Sequence, residues 1–277
     1  METRRVTAIR PALLTIAKWL AVGLALYAGF RFARASLGVS TADGEAYWNA
    51  ALRLREGAPL YFQLPNTGAP TLYWYAPWFA AAWVPLTFLP HDLVMTGWTL
   101  LLAGALGYLC WPLVQRPSAA GVALFALAGI ILVRTVLIGN VQPLMLAAVA
   151  WGLHRRSGPF LIAAAASLKI FPLIFALVYV RQRDWRRLGM TLAVTALLWL
   201  PILLFDLSDY PMAGINPPLP LPILLAIALV AGLLAIRPGR YADLALAVAV
   251  MCAGPRWYHY TPGFLLVGIS RDRSDDA

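Results

Sequence analysis

The sequence predicts an all-α, polytopic integral membrane helical bundle of about eight to ten membrane segments, some short, kinked or re-entrant, with a short helix in the first outer loop. Three observations carry this. At least eight apolar stretches fill the 277 residues, each long enough to be a membrane helix or most of one. Hydrophobic residues make up 61% of the chain and charged residues 12%, with a mean hydropathy of +0.72, far from the balance of a water-soluble domain. Arginines cluster in the short segments between apolar stretches, as loops facing the cytoplasm do.

Lysine and arginine total 22 against 12 acids, and only Lys18 and Lys169 are lysines, so the net charge of +10 is almost wholly arginine. The acidic partner this implies is an anionic lipid surface and not nucleic acid. Cys110 and Cys252 sit in separate apolar segments without metal-type spacing, which predicts free thiols.

Taken in order, the first apolar run spans about 11 to 30 and reads as a retained anchor, longer than the ~7–15-residue core of a signal peptide. Residues 1–33 form this anchor, 34–74 an outer loop, 75–269 the helical bundle and 270–277 a polar tail, all in one integral domain. The later stretches fall near 75–90, 93–114, 119–138, 141–153, 159–180, 188–205, 219–236, 241–254 and 261–269. A hydrocarbon core of about 30 Å needs about 20 helical residues, so the last two cross only in part. Partly crossing helices line a cavity. Pro172 interrupts the 159–180 stretch at Lys169-Ile170-Phe171-Pro172, predicting a kink or a re-entrant pair of half-helices.

Ten strict crossings put Arg4, Arg5 and Arg10, the arginines of 181–187, and Arg237 and Arg240 on the cytoplasmic face. They put 31–72, 206–218 and 255–262 together on the outer face, and leave Arg155 and Arg156 outside, against the arginine rule.

The outer loop holds the segment most suited to chemistry. Residues 40–55 read as an amphipathic helix with Ser40 at the N-cap and Asp43 where a capping-box acid sits. Helical phasing places Asp43 with Tyr47, Ala50, Ala51 and Leu54, facing protein or membrane, and Glu45 with Asn49, Arg53 and Glu56, facing water. Two readings of Asp43 stand side by side: a stabiliser of the helix start through the macrodipole, or a sheltered general base. The aromatic run Leu72 to Trp78 reads first as an interfacial belt and second as a sugar-stacking or lipid-lining surface.

Cations inside apolar spans invite a functional reading because they are costly there. Arg134 lies one turn before Gly139-Asn140-Val141-Gln142, and Lys169 precedes the Phe171-Pro172 break; either suits an anionic phosphate. His259 lies in the aromatic and basic hinge Arg256-Trp257-Tyr258-His259-Tyr260. His91 and His154, beside Asp92 and Arg155, read as solvated helix ends. The histidines lack zinc-ligand spacing, and the chain has no GxGxxG, P-loop or GxSxG signature.

Four stretches, in this order, resemble one family. They are Asp43 to Ala51 with Gly57-Ala58-Pro59-Leu60-Tyr61; Tyr73-Trp74-Tyr75-Ala76-Pro77 leading to Pro85-Leu86-Thr87-Phe88-Leu89-Pro90; Gly139-Asn140-Val141-Gln142-Pro143 followed by Leu168 to Pro172 and the Arg/Trp run at 181–187; and Trp257-Tyr258-His259-Tyr260. The family is the polytopic glycosyltransferases of family 87, which include polyprenyl-phosphate-mannose-dependent mannosyltransferases and share the C-type membrane glycosyltransferase fold.

The resemblance implies inverting transfer of a mannose-like hexose from a polyprenyl-phosphate donor to a hydroxyl of a lipid or glycan, on the outer face of a bacterial plasma membrane, with the N-terminus cytoplasmic. No metal or other cofactor is expected; the partners are membrane lipids, the donor and the acceptor. On this chain the outer-loop acid falls on Asp43 as general base and the late Trp/His segment on His259, near the donor phosphate. Lys169, Arg134 and Arg256 are the candidate phosphate-binding cations. Tyr47, Tyr75, Asn140, Gln142, Trp257 and Tyr258 are the candidate substrate-binding residues. A rival reading from another class is a non-catalytic polytopic protein: a carrier, a degenerate family member or a partner subunit. A carrier would favour two related halves with paired broken helices, and the sequence has no such internal symmetry.

Overall fold

Every element in the described residues is helical. The computed structural model describes residues 41–61, 72–115, 130–208, 219–239, 241–254, 258 and 260–269. The expected anchor (1–33) and polar tail therefore lie outside the described residues, as do Ser40, Arg256, Trp257 and His259.

Helix α1 (Ala42–Glu56) follows Thr41, one residue later than the predicted cap. The Thr41 hydroxyl donates to Glu45 (3.1 Å). At its other end Gly57 is left-handed (φ 70°), and the Ala58 amide reaches back to the Arg53 carbonyl (2.9 Å), the reach-back that closes a Schellman-type end. The stretch expected to span at 75–90 instead breaks into a short helix α2 (Pro77–Trp83) and a 3₁₀ turn (Val84–Phe88). Seven residues cover about 10 Å, too little for a crossing. Pro77 and Pro85 explain the break, since Pro77 opens the helix and Pro85 is the second residue of the 3₁₀ turn, where a missing amide is tolerated.

Among the described residues, two helices are long and apolar enough to cross a membrane. One is the first part of α3 (His91–Gln115), through Pro112, and the other is α8 (Trp185–Trp199) continued by the 3₁₀ turn Leu200–Leu204. Between them lie α4 (Ile130–Leu137), α5 (Gln142–Gly152), α6 (Gly158–Leu168), a 3₁₀ turn (Phe171–Ala176) and α7 (Leu177–Arg181). After them come α9 (Leu221–Ala235), α10 (Ala242–Cys252), a 3₁₀ turn (Thr261–Phe264) and α11 (Leu265–Ile269).

The predicted break at Lys169 is a full reversal. Helix α6 ends at Leu168, Lys169 is extended (φ −146°, ψ 121°), and the chain turns back through Phe171–Ala176 into α7. The two arms rejoin the start of the hairpin: His154, just before α6, and Arg181, at the end of α7, both grip Asp243 at the start of α10. His154 Nε2 lies 3.0 Å from Asp243 Oδ2, and Arg181 also donates to the Ala235 carbonyl at the end of α9 (3.3 Å). His154 is thus hydrogen-bonded to a buried carboxylate and is not a solvated helix end. All three side chains are largely buried. Removing one partner from such a buried set leaves an uncompensated charge, a defect of about 3–5 kcal/mol.

This clasp also corrects the ten-crossing count. Because residues 159–180 leave and return to the same end, Arg155 and Arg156 share that end with Arg181, Arg186, Arg187 and Arg237. The arginine rule is then satisfied where strict crossings violated it.

Apolar side chains pack in two groups. One joins α5, α6, the 171–181 arm, α10 and α11 through Leu146, Ile162, Phe175, Tyr179, Leu246 and Phe264. The other is aromatic and gathers α1 and α2 against α3 around Tyr47, with Phe79, Trp83 and Trp98 at ring distances of 5.0, 5.5 and 6.0 Å. Tyr73 is buried within it, and its hydroxyl donates to the Ala76 carbonyl (2.8 Å). The aromatic run expected as an interfacial belt is therefore largely internal packing. Edge-to-face pairs of this kind add about 0.5–1.5 kcal/mol each beyond the area they bury. Cys110 and Cys252 are buried free thiols.

Candidate active site

The site begins with two helix ends meeting head to tail. Helix α4 closes on Gly139 in a left-handed conformation (φ 78°), with the Gly139 amide bonded to Val136 and the Asn140 amide to Thr135, the pair of bonds that defines a Schellman end. That turn aims the Ile138 carbonyl at the unsatisfied first amides of α1, and it accepts from Asp43 (3.0 Å) and Gly44 (3.4 Å). Two glycines allow the approach. A Cβ on Gly139 would stand 2.9 Å from the Gly44 nitrogen, and one on Gly44 would press the Met95 sulfur at 3.2 Å. The Trp98 indole locks the turn by donating to the Gly139 carbonyl (2.7 Å).

Gly139→Ala should therefore both strain the backbone and push α1 away from Asn140. A loss of about 1–3 kcal/mol is expected from the left-handed residue alone. A lowered unfolding midpoint, by thermal or denaturant melting in detergent, checks it; an unchanged midpoint would show that the two turns are not in backbone contact.

From this junction a hydrogen-bonded relay runs across the site. Asn140 Nδ2 donates to Asp43 Oδ2 at 2.6 Å, while Asn140 Oδ1 accepts the Gln142 amide at 2.9 Å. The backbone donor fixes which way the Asn140 amide faces, so its nitrogen must point at the carboxylate. Gln142 opens α5, and its Oε1 accepts from Lys169 Nζ at 2.9 Å. Lys169 lies over the Tyr260 ring at 4.0 Å and near the Tyr258 ring at 6.0 Å; those rings stack at 5.2 Å with 7° between planes. The Asn140 amide also reaches the Tyr260 hydroxyl. Tyr47 donates to the Tyr75 hydroxyl (3.1 Å) and accepts the Val141 amide (3.2 Å). Burial, reinforced by the nearby Asp43 charge, pushes the Tyr47 phenol well above its usual range and keeps it a neutral donor.

Gln142 is fully buried, and its Nε2 has no hydrogen-bond partner among the described residues. Lys169 on Oε1 settles the orientation of that amide, so the open group is a donor. A buried donor left open is rare in a packed interior and suits a ligand oxygen.

The structure thus brings Asp43, Tyr47, Tyr75, Asn140, Gln142, Lys169 and Tyr258 into one neighbourhood. Arg134 does not join them: its side chain is exposed on α4, away from the relay. Glu45, expected in water, meets His91 Nε2 (3.0 Å), while His91 Nδ1 lies 3.5 Å from Asp92 Oδ1, so His91 is also a partnered group. This contact ties α1 to the start of α3, two residues on from Asp43. Tyr260 is the residue that sequence reading passed over. Its signal was the alternation of Tyr258 and Tyr260, which in a non-helical segment puts both rings on one side.

Asp43 and Tyr47 precede, and Tyr258 and Tyr260 follow, the part of the chain that known proteins resemble. No curated protein and no solved structure matches the chain. Comparison with protein families matches residues 73–212, half of the 277 residues and including Tyr75, Asn140, Gln142 and Lys169, to glycosyltransferase family 87. With the reversal at Lys169 and the Asn140–Gln142 turn both inside that match, the chain belongs to glycosyltransferase family 87.

Proposed function

We propose that this glycosyltransferase is a polytopic membrane enzyme that moves a mannose-like hexose from a polyprenyl-phosphate donor to a hydroxyl of a lipid or glycan acceptor on the outer face. The observation that carries the reading is the relay itself, which sets a carboxylate and an ammonium at opposite ends of Asp43–Asn140–Gln142–Lys169. Members of the family are membrane proteins, and α3 and α8 are long enough to span.

The acceptor oxygen attacks the anomeric carbon, the bond from that carbon to the phosphate oxygen breaks, and its electron pair returns to the lipid phosphate. The proton of the acceptor hydroxyl passes to Asp43. Positive character builds on the sugar in the transition state while negative charge grows on the leaving phosphate. Lys169, held by Gln142 and the Tyr260 ring, is the cation we assign to that charge. Gln142 Nε2 would donate to a phosphate or sugar oxygen, and the neutral phenols of Tyr47 and Tyr75 would keep Asp43 and Asn140 in register. Attack opposite the leaving group inverts the anomeric centre. By the family resemblance His259 and Arg256 are assigned to the donor phosphate and Trp257 and Tyr258 to substrate binding. The reaction as written uses no cofactor.

Orientation follows from charge. The arginine end is cytoplasmic, with the N-terminus, and the relay lies at the opposite ends of α5, α6 and the 171–181 arm. Helix α3 serves as a ruler. Trp98, which touches the Gly139 turn, is seven residues or about 10 Å below His91. The site is thus recessed beneath the outer rim, reached by a donor whose tail stays in the bilayer. Helix ends at that depth need a polar chamber, which supports a binding cavity there.

The test is transfer itself. Purified protein in liposomes, supplied with radiolabelled polyprenyl-phosphate mannose and a membrane-lipid extract, should move label into an acceptor. Label that stays on the donor, with mannose and with other polyprenyl-phosphate hexoses, would remove this reading.

A further inference from the structure

The cytoplasmic end of the fold carries a second site that the transfer reaction does not use. Between the start of α6 and the start of α8 lies a cavity of about 470 Å³ lined by Arg156, Arg186 and Arg187 together with Phe160 and Met190. Asp184 caps α8 by accepting the Arg187 amide (3.0 Å) and holds Arg187 through Nε (3.1 Å). The wall therefore carries three guanidinium groups against one carboxylate, with Arg187 braced in place. Arg156 and Arg186 are exposed.

The apolar half of the cavity continues onto α8. Phe160 is 53% exposed and Trp185 is 63% exposed, and Leu192 and Leu197 of α8 are exposed as well, giving the helix an open apolar strip that starts beside the cavity. A cationic cup at the end of an open apolar helix matches one chemistry: a phosphate headgroup with acyl chains attached. Guanidinium forks pair with phosphate oxygens in two-point contacts, and a tryptophan at that level suits the headgroup boundary.

The geometry points to a binding site for an anionic phospholipid of the cytoplasmic leaflet, its phosphate held by Arg156, Arg186 and Arg187 and its chains lying along α8 from Phe160 and Trp185. The inference rests on the membrane-embedded reading but not on sugar transfer. The two fail separately, because lipid retention is measured without any donor.

Native mass spectrometry of the detergent-purified full chain, titrated with dioleoylphosphatidylglycerol or dioleoylphosphatidylcholine, tests it. About one phosphatidylglycerol should be retained roughly tenfold more tightly than phosphatidylcholine. The double variant R156Q/R186Q should lose that preference. The charge-matched variant R155Q/R237Q, which removes two exposed arginines from the same end but outside the cavity wall, should keep it. Equal retention of the two lipids, or equal loss in both double variants, would overturn the site. Displacement of the lipid by millimolar inorganic phosphate alone would overturn the lipid assignment in favour of a free-anion site.

Discussion

Asp43→Asn is expected to reduce sugar transfer by about 10²–10⁴-fold while leaving expression and folding intact, because the substitution removes a proton acceptor and little else. Asn140 donates to Asp43 Oδ2, and an asparagine carbonyl in the same place accepts the same bond. The backbone amides of residues 43 and 44 still reach the Ile138 carbonyl, since those contacts do not involve the side chain. Circular dichroism and thermal melting of the variant should match wild type, with turnover lost mainly in kcat. Undiminished turnover would return Asp43 to the bland role of a helix-start acid.

Lys169→Gln is the second large effect, and its signature differs. A half-buried ammonium costs desolvation that Gln142 and the Tyr260 face only partly repay, so removing it should leave stability unchanged or slightly raised. Transfer should nevertheless fall by about 10²–10³-fold, the usual loss when a preorganised charge opposite a developing anion is removed. Lys169→Arg should recover part of the rate, keeping the charge but replacing a compact ammonium with a planar fork. Measuring kcat and KM for the donor together with the melting temperature separates this from misfolding. A variant as active as wild type, or one whose activity falls only as its fold does, would show that Lys169 is a structural cation.

How much of this was legible beforehand depends on whether the signal was local. The stop at Lys169 was readable, because a proline three residues on and a cation in an apolar run are both local facts. Membership of family 87 was readable for the same reason, since its motifs are short and ordered along the chain. Asp43's inward direction followed from helical phasing, which put it beside Tyr47. Glu45 was misread by the same rule, because phasing names a face but not the histidine that arrives from α3 to meet it. The segment 75–90 was misread because composition sees apolar length and not the two proline starts that divide it. A return of the chain at Lys169 was one of the two readings open there, but the contact that fastens its base was hidden. It depends on Asp243, which is 89 residues from His154 and 62 from Arg181. The Gly44–Gly139 contact was hidden likewise: neither glycine is unusual until the two turns are opposed.

The Asp243 clasp has a bearing on catalysis that its distance from the sugar conceals. It fastens the foot of an arm whose summit is Lys169, with the eleven residues of α6, about 16 Å of helix, between foot and summit. A lean of about four degrees at the foot displaces the summit by about 1 Å, and an error of that size in a reacting group is worth about a hundredfold in rate. A lesion at Asp243, His154 or Arg181 would then be felt at Lys169 as slower transfer, beyond the loss of stability that breaking the clasp brings.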